Sequence, residues 1–338
     1  MFRAFIGIGL AAAAVVGLWA GGETLASRRV AELIAGDPAL QATLVRPLRQ
    51  PPQFGMRIEQ PAFADPAGGI ALPWAELQIS PQSPTTARLI LPEEGQVTIT
   101  GQAHMLGLDE PHATVRLAPL KRLAPDHIAV TAEQVTLDSQ PVIEGLDLDM
   151  QMTRLGPDAP LAARAAYQAR VGVGAVQTRL LSQMGLDLHG IPDPVSLGGD
   201  VLLWLDGTPS VRGQATPSVV GWQTEGLTIG AGPMSLRVVG RIVRDPNGLA
   251  EGQVALYTAD ARQMIDQASQ MGLIPGPARM LLSAGLEQLA KTPIDADLPG
   301  PDFPEPAQGQ VRLPVQLSGG QILLGGIPIG AAPPFGAI

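Results

Sequence analysis

The chain has no cysteine. Disulfides, thiolate catalysis and cysteine-based zinc or iron–sulfur centres are thereby excluded together, and compartment cannot be read from redox chemistry. Charge is scarce as well: only 16% of residues are charged, and none of the last 26, from Leu313 to Ile338, carries a charge. Aromatics make up 4%, so a core must be filled by small and aliphatic side chains. Basic clusters are missing too. The formal charge is −9, and basic residues are scattered, as at Arg46, Arg49 and Arg57. A polyanionic partner such as nucleic acid needs clustered Lys and Arg, so no nucleic acid is expected, and polybasic attraction to anionic headgroups is also lacking.

What the chain does have is apolar residues (45%) and turn formers, with 40 Gly and 33 Pro among 338 residues. Disorder is excluded by the first figure, and long helices are disfavoured by the second. Met1-Phe2-Arg3 is followed by 19 uncharged residues, Ala4 to Gly22. As a helix this run spans about 28 Å, close to the ~30 Å hydrocarbon thickness of a bilayer. It reads as a single-pass anchor with Trp19 at its outer end, or as a cleaved signal peptide ending in the small residues Ala20-Gly21-Gly22. Either reading exports everything beyond residue 22. The expected domains are therefore an N-terminal helix and its extension over 1–36, closed by Gly36-Asp37-Pro38, and a periplasmic β-rich domain over 37–338 with two sheet halves meeting near 190–199.

Beyond residue 38 the texture is period-two alternation cut by turns. Leu146 to Met152 places apolar side chains at even positions and polar ones at odd positions, which predicts a strand wet on one face. Met234 to Ala259 predicts a hairpin around Asn247-Gly248, read as a type I′ turn with both central residues at positive φ. One face of that hairpin takes Leu236, Val238, Gly240 and Ile242, with Val254 and Leu256 across from them; Arg237 and Arg241 lie opposite. Amphipathic helices are predicted over 175–186 (Leu180, Leu181 and Met184 inward), 259–272 and 278–291. The segment 293–306, with five prolines and four acidic residues, reads as an extended connector. Strands at 310–317 and 321–324 close the chain, turned by Ser318-Gly319-Gly320. Gly and Pro interrupt the uncharged tail well short of a membrane-spanning helix, so it reads as a hairpin whose faces or edge something apolar must cover.

Catalytic motifs are missing. His104, Asp109, Glu110 and His112 fall within nine residues, but Gly107 and Pro111 read as a loop with no metal-ligand spacing, so no metal is expected there. The remaining histidines are His127 and His189. Gly172-Val173-Gly174 lacks the third glycine of a dinucleotide loop, with Gln177 in its place. Asp147 and Asp149 lie on the polar side of a strand. No Gly-x-Ser-x-Gly and no GxxxxGK occurs, and no cofactor is expected.

The anchor with Trp19, the hairpin LRVVGRIVRDPNGLAEGQVAL, the helices over 262–291 and the closing VRLPVQLSGGQILLGGIPIGAAP together resemble an alphaproteobacterial family of inner-membrane-anchored periplasmic proteins catalogued as a domain of unknown function, distantly similar to AsmA-like envelope proteins. The resemblance implies a curved antiparallel sheet in an α+β, β-rich fold behind one N-terminal transmembrane helix. It implies a non-enzymatic envelope role, and it carries over no catalytic residue. The expected ligand is a lipid or another hydrophobic molecule, bound on a face that includes Ile322, Leu324, Ile327 and Ile329 or their sheet neighbours. The alternative is a structural or assembly factor that docks an envelope protein through its sheet edge, placed at 321–324.

Overall fold

The computed structural model describes residues 23–36, 39–49, 54–65, 68–121, 123–186, 190–209, 217–272, 274–295 and 297–335. The expected anchor over Ala4 to Gly22 lies outside them. Among the described residues no helix is long and apolar enough to cross a membrane. The fold is mostly antiparallel β with a few short helices, and it forms two compact units. The first contains the described residues of Met1–Met152, Leu180–Leu186 and Thr208–Thr216; the second those of Thr153–Arg179, Asp187–Gly207 and Pro217–Ile338.

In the first unit, helix α1 (Glu23–Gly36) precedes strands β1 (Leu40–Gln41), β2 (Leu44–Pro47), β3 (Phe54–Glu59), β4 (Ala62–Asp65), β5 (Gly68–Ala71), β6 (Trp74–Ser80), β7 (Ser83–Ile90), β8 (Glu94–Ile99), β9 (Gln102–Asp109), β10 (His112–Ala118), β11 (Ala124–Leu137) and β12 (Gln140–Thr153). Proline sets the plan. β3 and β4 are separated only by Gln60-Pro61, β5 and β6 by Leu72-Pro73, β7 and β8 by Leu91-Pro92-Glu93, and β9 and β10 by Glu110-Pro111. A proline has no N–H to give a ladder, so each long strand breaks and bends there rather than reversing. Gln60 and Glu110 take positive φ at two of these corners.

The broken strands sort into two half-sheets. One pairs β2, β3, β6, β7, β10 and the first part of β11; the other pairs β1, β4, β5, β8, β9 and the last part of β11. β12 pairs along the other edge of β11. The first half-sheet buries Met56, Leu77, Ile79, Val115 and Leu117, and α1 packs on β1, β2 and β3 with Ser27 and Val30 buried. The second half-sheet buries Ile99, Leu106, Val135 and Val142 against Leu180, Leu181 and Met184. Those three point inward as their spacing predicts, although helix α2 (Thr178–Gln183) starts later than expected, because Ala175 and Val176 still belong to the preceding strand.

The second unit is a meander in which each strand pairs with the next: β13 (Ala165–Val176), β14 (Val195–Leu205), β15 (Val219–Ala231), β16 (Met234–Arg244), β17 (Ala250–Thr258), β18 (Val311–Ser318), β19 (Gln321–Leu324) and β20 (Ile327–Ala331). Register shifts between Gly198 and Leu202 and between Thr224 and Leu227 mark bulges, which curve the strands. Helices α3 (Ala261–Gln270), α4 (Gly276–Ala284) and α5 (Leu286–Ala290) separate β17 from β18. The single helix expected over 278–291 breaks at Gly285, where a side-chain-free residue costs about 1 kcal/mol in a helix interior.

The hairpin of β16 and β17 pairs as its parity predicts, Val238 with Leu256 and Gly240 with Val254. Its turn is different. Asn247 is not among the residues at positive φ; Gly248 is, at 83°. The Asp245 carboxylate accepts the Asn247 and Leu249 N–H groups at 2.8 and 2.7 Å, and Gly248 N–H donates to the Asp245 carbonyl. This is a three-residue loop ending in a left-handed glycine, not a type I′ turn. Gly248→Val should therefore cost about 1–3 kcal/mol and Asn247→Val no more than about 0.5, an order that urea midpoints of the two variants will check.

The tail is part of this sheet. Gly319-Gly320 and Gly325-Gly326 all adopt positive φ, so both pairs serve as the two-residue turns that join β18 to β19 and β19 to β20. Beyond β20 the chain folds back: Ala332 N–H reaches the Gly320 carbonyl, and Phe335 N–H the Gly248 carbonyl. Residues 321–324 are consequently not an edge. β19 is paired on both sides, and the following strand, β20, carries Pro328.

Candidate functional site

The two faces of the second sheet differ in chemistry, and parity assigns every residue. On one face, Val238, Leu256, Leu313, Val315 and Leu324 continue from strand to strand. Over β17 to β20 this face is covered by α3, α4 and α5, whose Ala261, Ile265, Ala278, Leu282 and Leu289 form one buried cluster with Leu313 and Leu324. Of the four residues expected to bind a ligand, Leu324 is 3% exposed in that cluster, Ile327 and Ile329 pack against it, and Ile322 is half-buried opposite Leu317. The helices thus fill the space in front of Leu324, Ile327 and Ile329. Gly325 is pressed so closely on Leu289 of α5 that a Cβ there would collide with it.

Their sheet neighbours are placed differently. Over β13 to β16 the same face continues through Val171, Val173, Leu197, Leu227, Ile229 and Leu236. These side chains are half-buried, and Gly199, Val201, Met234 and Val238 beside them on the same face are uncharged. Directly behind them the other face is wet, with Gln168, Arg170, Asp200 and Thr228 exposed.

That second face changes character toward β17. A cross-strand row runs Gln223, Arg241, Gln253, Gln316. Arg241 lies opposite the apolar face, as its parity predicts, yet it is 8% exposed, and Gln253 is 5%. The guanidinium donates from Nε and Nη2 to the Asp158 carbonyl at 3.1 and 2.8 Å and lies 5.3 Å from the Trp204 ring centre. Trp204 is itself 1% exposed and packs with Ala159, Ala163 and Val243. Burial lowers the Arg241 pKa, partly offset by Asp158. The described residues of 293–310 cover the next part: Ile294 and Phe303 sit on Val239, Ala255 and Tyr257, while Gln253 donates to the Asp295 carbonyl and Tyr257 to the Pro304 carbonyl. Sequence reasoning missed this row because parity reveals which face a residue takes and not what lies over it. A signal did exist: Arg241 is flanked at i−2 and i+2 by Val239 and Val243, and Gln253 is followed at i+2 by Ala255.

Burial raises the pKa of Tyr257, with Arg312 and Arg237 pulling it back. A phenol with a raised folded value stabilises the fold fully below its ordinary pKa of 10.0 and loses that contribution as pH rises through the folded value. The chain has two tyrosines. Subtracting the 295 nm titration of Tyr257→Phe from that of the unmodified chain should therefore leave a transition above pH 10.

The histidine cluster is not a loop. His104 lies in β9 and His112 opens β10. His104 Nδ1 pairs with the Asp138 carboxylate at 2.8 Å, which also accepts the Met105 N–H. His189 lies outside the described residues. Among the described residues no three His, Asp or Glu side chains converge to hold a metal. Gly172-Val173-Gly174 is strand, paired with β14. Residues 51–333 match the family described as "Uncharacterized protein conserved in bacteria (DUF2125)". The chain belongs to this family. The match takes in most of both units, including the apolar strip on β13 to β16 and the covered polar row behind it. No curated protein and no solved structure matches the chain.

Proposed function

We propose that this is a non-enzymatic, distantly AsmA-like protein of the cell envelope, tethered to the inner membrane by its N-terminal apolar run, with its β-rich part in the periplasm, and that it binds a lipid or similar amphiphile. The observation that carries the reading is the uncharged strip of half-buried aliphatic side chains on β13 to β16, including Leu197, Ile229 and Leu236. It continues a face that α3 to α5 fill over the neighbouring strands. Buried apolar surface stabilises by roughly 25 cal/mol per Å², so about 400 Å² of acyl chain would contribute about 10 kcal/mol before ordering costs. The run Ala4 to Gly22 supports the location. The ligand face proposed from Ile322, Leu324, Ile327 and Ile329 moves with this reading to their sheet neighbours.

The test compares charges placed on the two faces of the same strands. Ile229→Glu and Leu236→Glu should weaken a saturable fluorescent-phospholipid titration of the full chain at least tenfold, while Gln168→Glu and Ser235→Glu on the opposite face should leave it unchanged. Equal titrations for all four variants would remove the lipid reading, and any contribution of the N-terminal run is common to every chain in the comparison.

A further inference from the structure

The polar face of the second unit already has an extended peptide seated on it. We propose that this face is a docking platform for an extended, proline-rich, acidic peptide of a partner protein, and that residues 293–310 occupy it in cis. The described residues of this segment form neither helix nor strand. They meet the sheet in three ways. Ile294 and Phe303 rest on Val239, Ala255 and Tyr257. Side-chain donors reach backbone carbonyls, Gln253 to Asp295 at 2.6 Å and Tyr257 to Pro304 at 2.8 Å, with Arg312 at 3.5 Å from the same Pro304 carbonyl. Glu305 stands 3.6 Å from Arg312. A floor of Val239, Ala255 and the Tyr257 ring, with donors aimed at carbonyls, suits a proline-spaced chain, whose extended backbone leaves its carbonyls free and has little entropy to lose.

Charge fits the same partner. In a chain of net charge −9, Arg237 and Arg312 share this face beside the segment, whose Asp295, Asp297, Asp302 and Glu305 are exposed. The donors bind main chain, so the contacts require an extended backbone more than a particular sequence. A permanent cover would be served as well or better by an apolar sheet, since a buried guanidinium can be exchanged for hydrophobic residues at no loss of stability. Gln253 and Tyr257 instead present donors that water can satisfy once the segment leaves. A tethered segment competes at an effective concentration on the order of millimolar, so displacement calls for a partner that binds more tightly or more extensively.

The test uses the full chain and a labelled synthetic peptide with the sequence of residues 292–306. Anisotropy should show saturable binding to an Ile294→Ser, Phe303→Ser double variant at least tenfold tighter than to the unmodified chain. Adding Tyr257→Phe and Arg312→Gln should weaken that binding at least tenfold. Folding of the double variant is checked by hydrogen exchange, with the amides of β16 to β18 remaining protected. A folded double variant without saturable binding, or with binding indifferent to Tyr257 and Arg312, overturns the proposal. Should the double variant not fold, exchange in the unmodified chain decides: amides over 293–310 must open before those of β16 and β17, and opening only with global unfolding makes the segment a fixed cover and the proposal wrong. None of these outcomes depends on lipid.

Discussion

Leu324→Glu is expected to destabilise the second unit by about 4–5 kcal/mol, enough to leave a protein of ordinary stability largely unfolded in that unit. The side chain is 3% exposed, and the residues around it, Leu313, Leu282, Leu289, Ile265 and Ala278, offer neither a counter-charge nor a hydrogen-bond donor. A carboxylate there must be protonated or drag water into the cluster. Ile322→Glu, at a half-buried position on the same strand, should cost much less. Urea unfolding of the two variants, with hydrogen exchange over β18 to β20, measures the difference. The helices packed in front of Leu324 make it a core position rather than an open ligand face.

The second large effect is expected at Trp204. Trp204→Ala should cost about 3–5 kcal/mol, because it removes the largest fully buried side chain among the described residues and opens a cavity beside Ala159, Ala163 and Val243. It also strips Arg241 of the ring beside its guanidinium. Arg241→Met should behave oppositely and leave stability unchanged or higher, since it removes the cost of a dehydrated charge while keeping most of the volume. Thermal melts of both variants check the pair. If Arg241→Met were as damaging as Trp204→Ala, the guanidinium would be a structural keystone and the view of this face as one that tolerates water would fail.

The local pattern was legible wherever one strand turned directly into the next. Asn247-Gly248 and Gly319-Gly320 mark their reversals, and the even-numbered apolar residues of Leu146 to Met152 include Met150, which is buried. The bends of the first unit were not legible. An X-Pro step such as Leu72-Pro73 or Glu110-Pro111 ends a ladder in the same way whether the chain reverses or continues in a new direction, and only the pairing of the flanking halves tells which. The buried polar row escaped for a related reason. Arg241 is bonded to the carbonyl of Asp158, 83 residues earlier, a separation that no local pattern encodes. The tail is the instructive middle case. Its apolarity demands cover, and Ile265 and Ala268 of α3 supply it.

Binding of acyl chains by the strip on β13 to β16, as proposed, can be read out directly. The chain has no cysteine, so single cysteines can be placed at will in the full-length protein and labelled with an environment-sensitive fluorophore. Ile229→Cys and Leu236→Cys report the strip, and Gln168→Cys and Ser235→Cys the opposite face of the same sheet. With lipids brominated on their acyl chains, the account predicts strong quenching at 229 and 236 and none at 168 and 235. Equal quenching on both faces, or no quenching at 229 and 236, would contradict it.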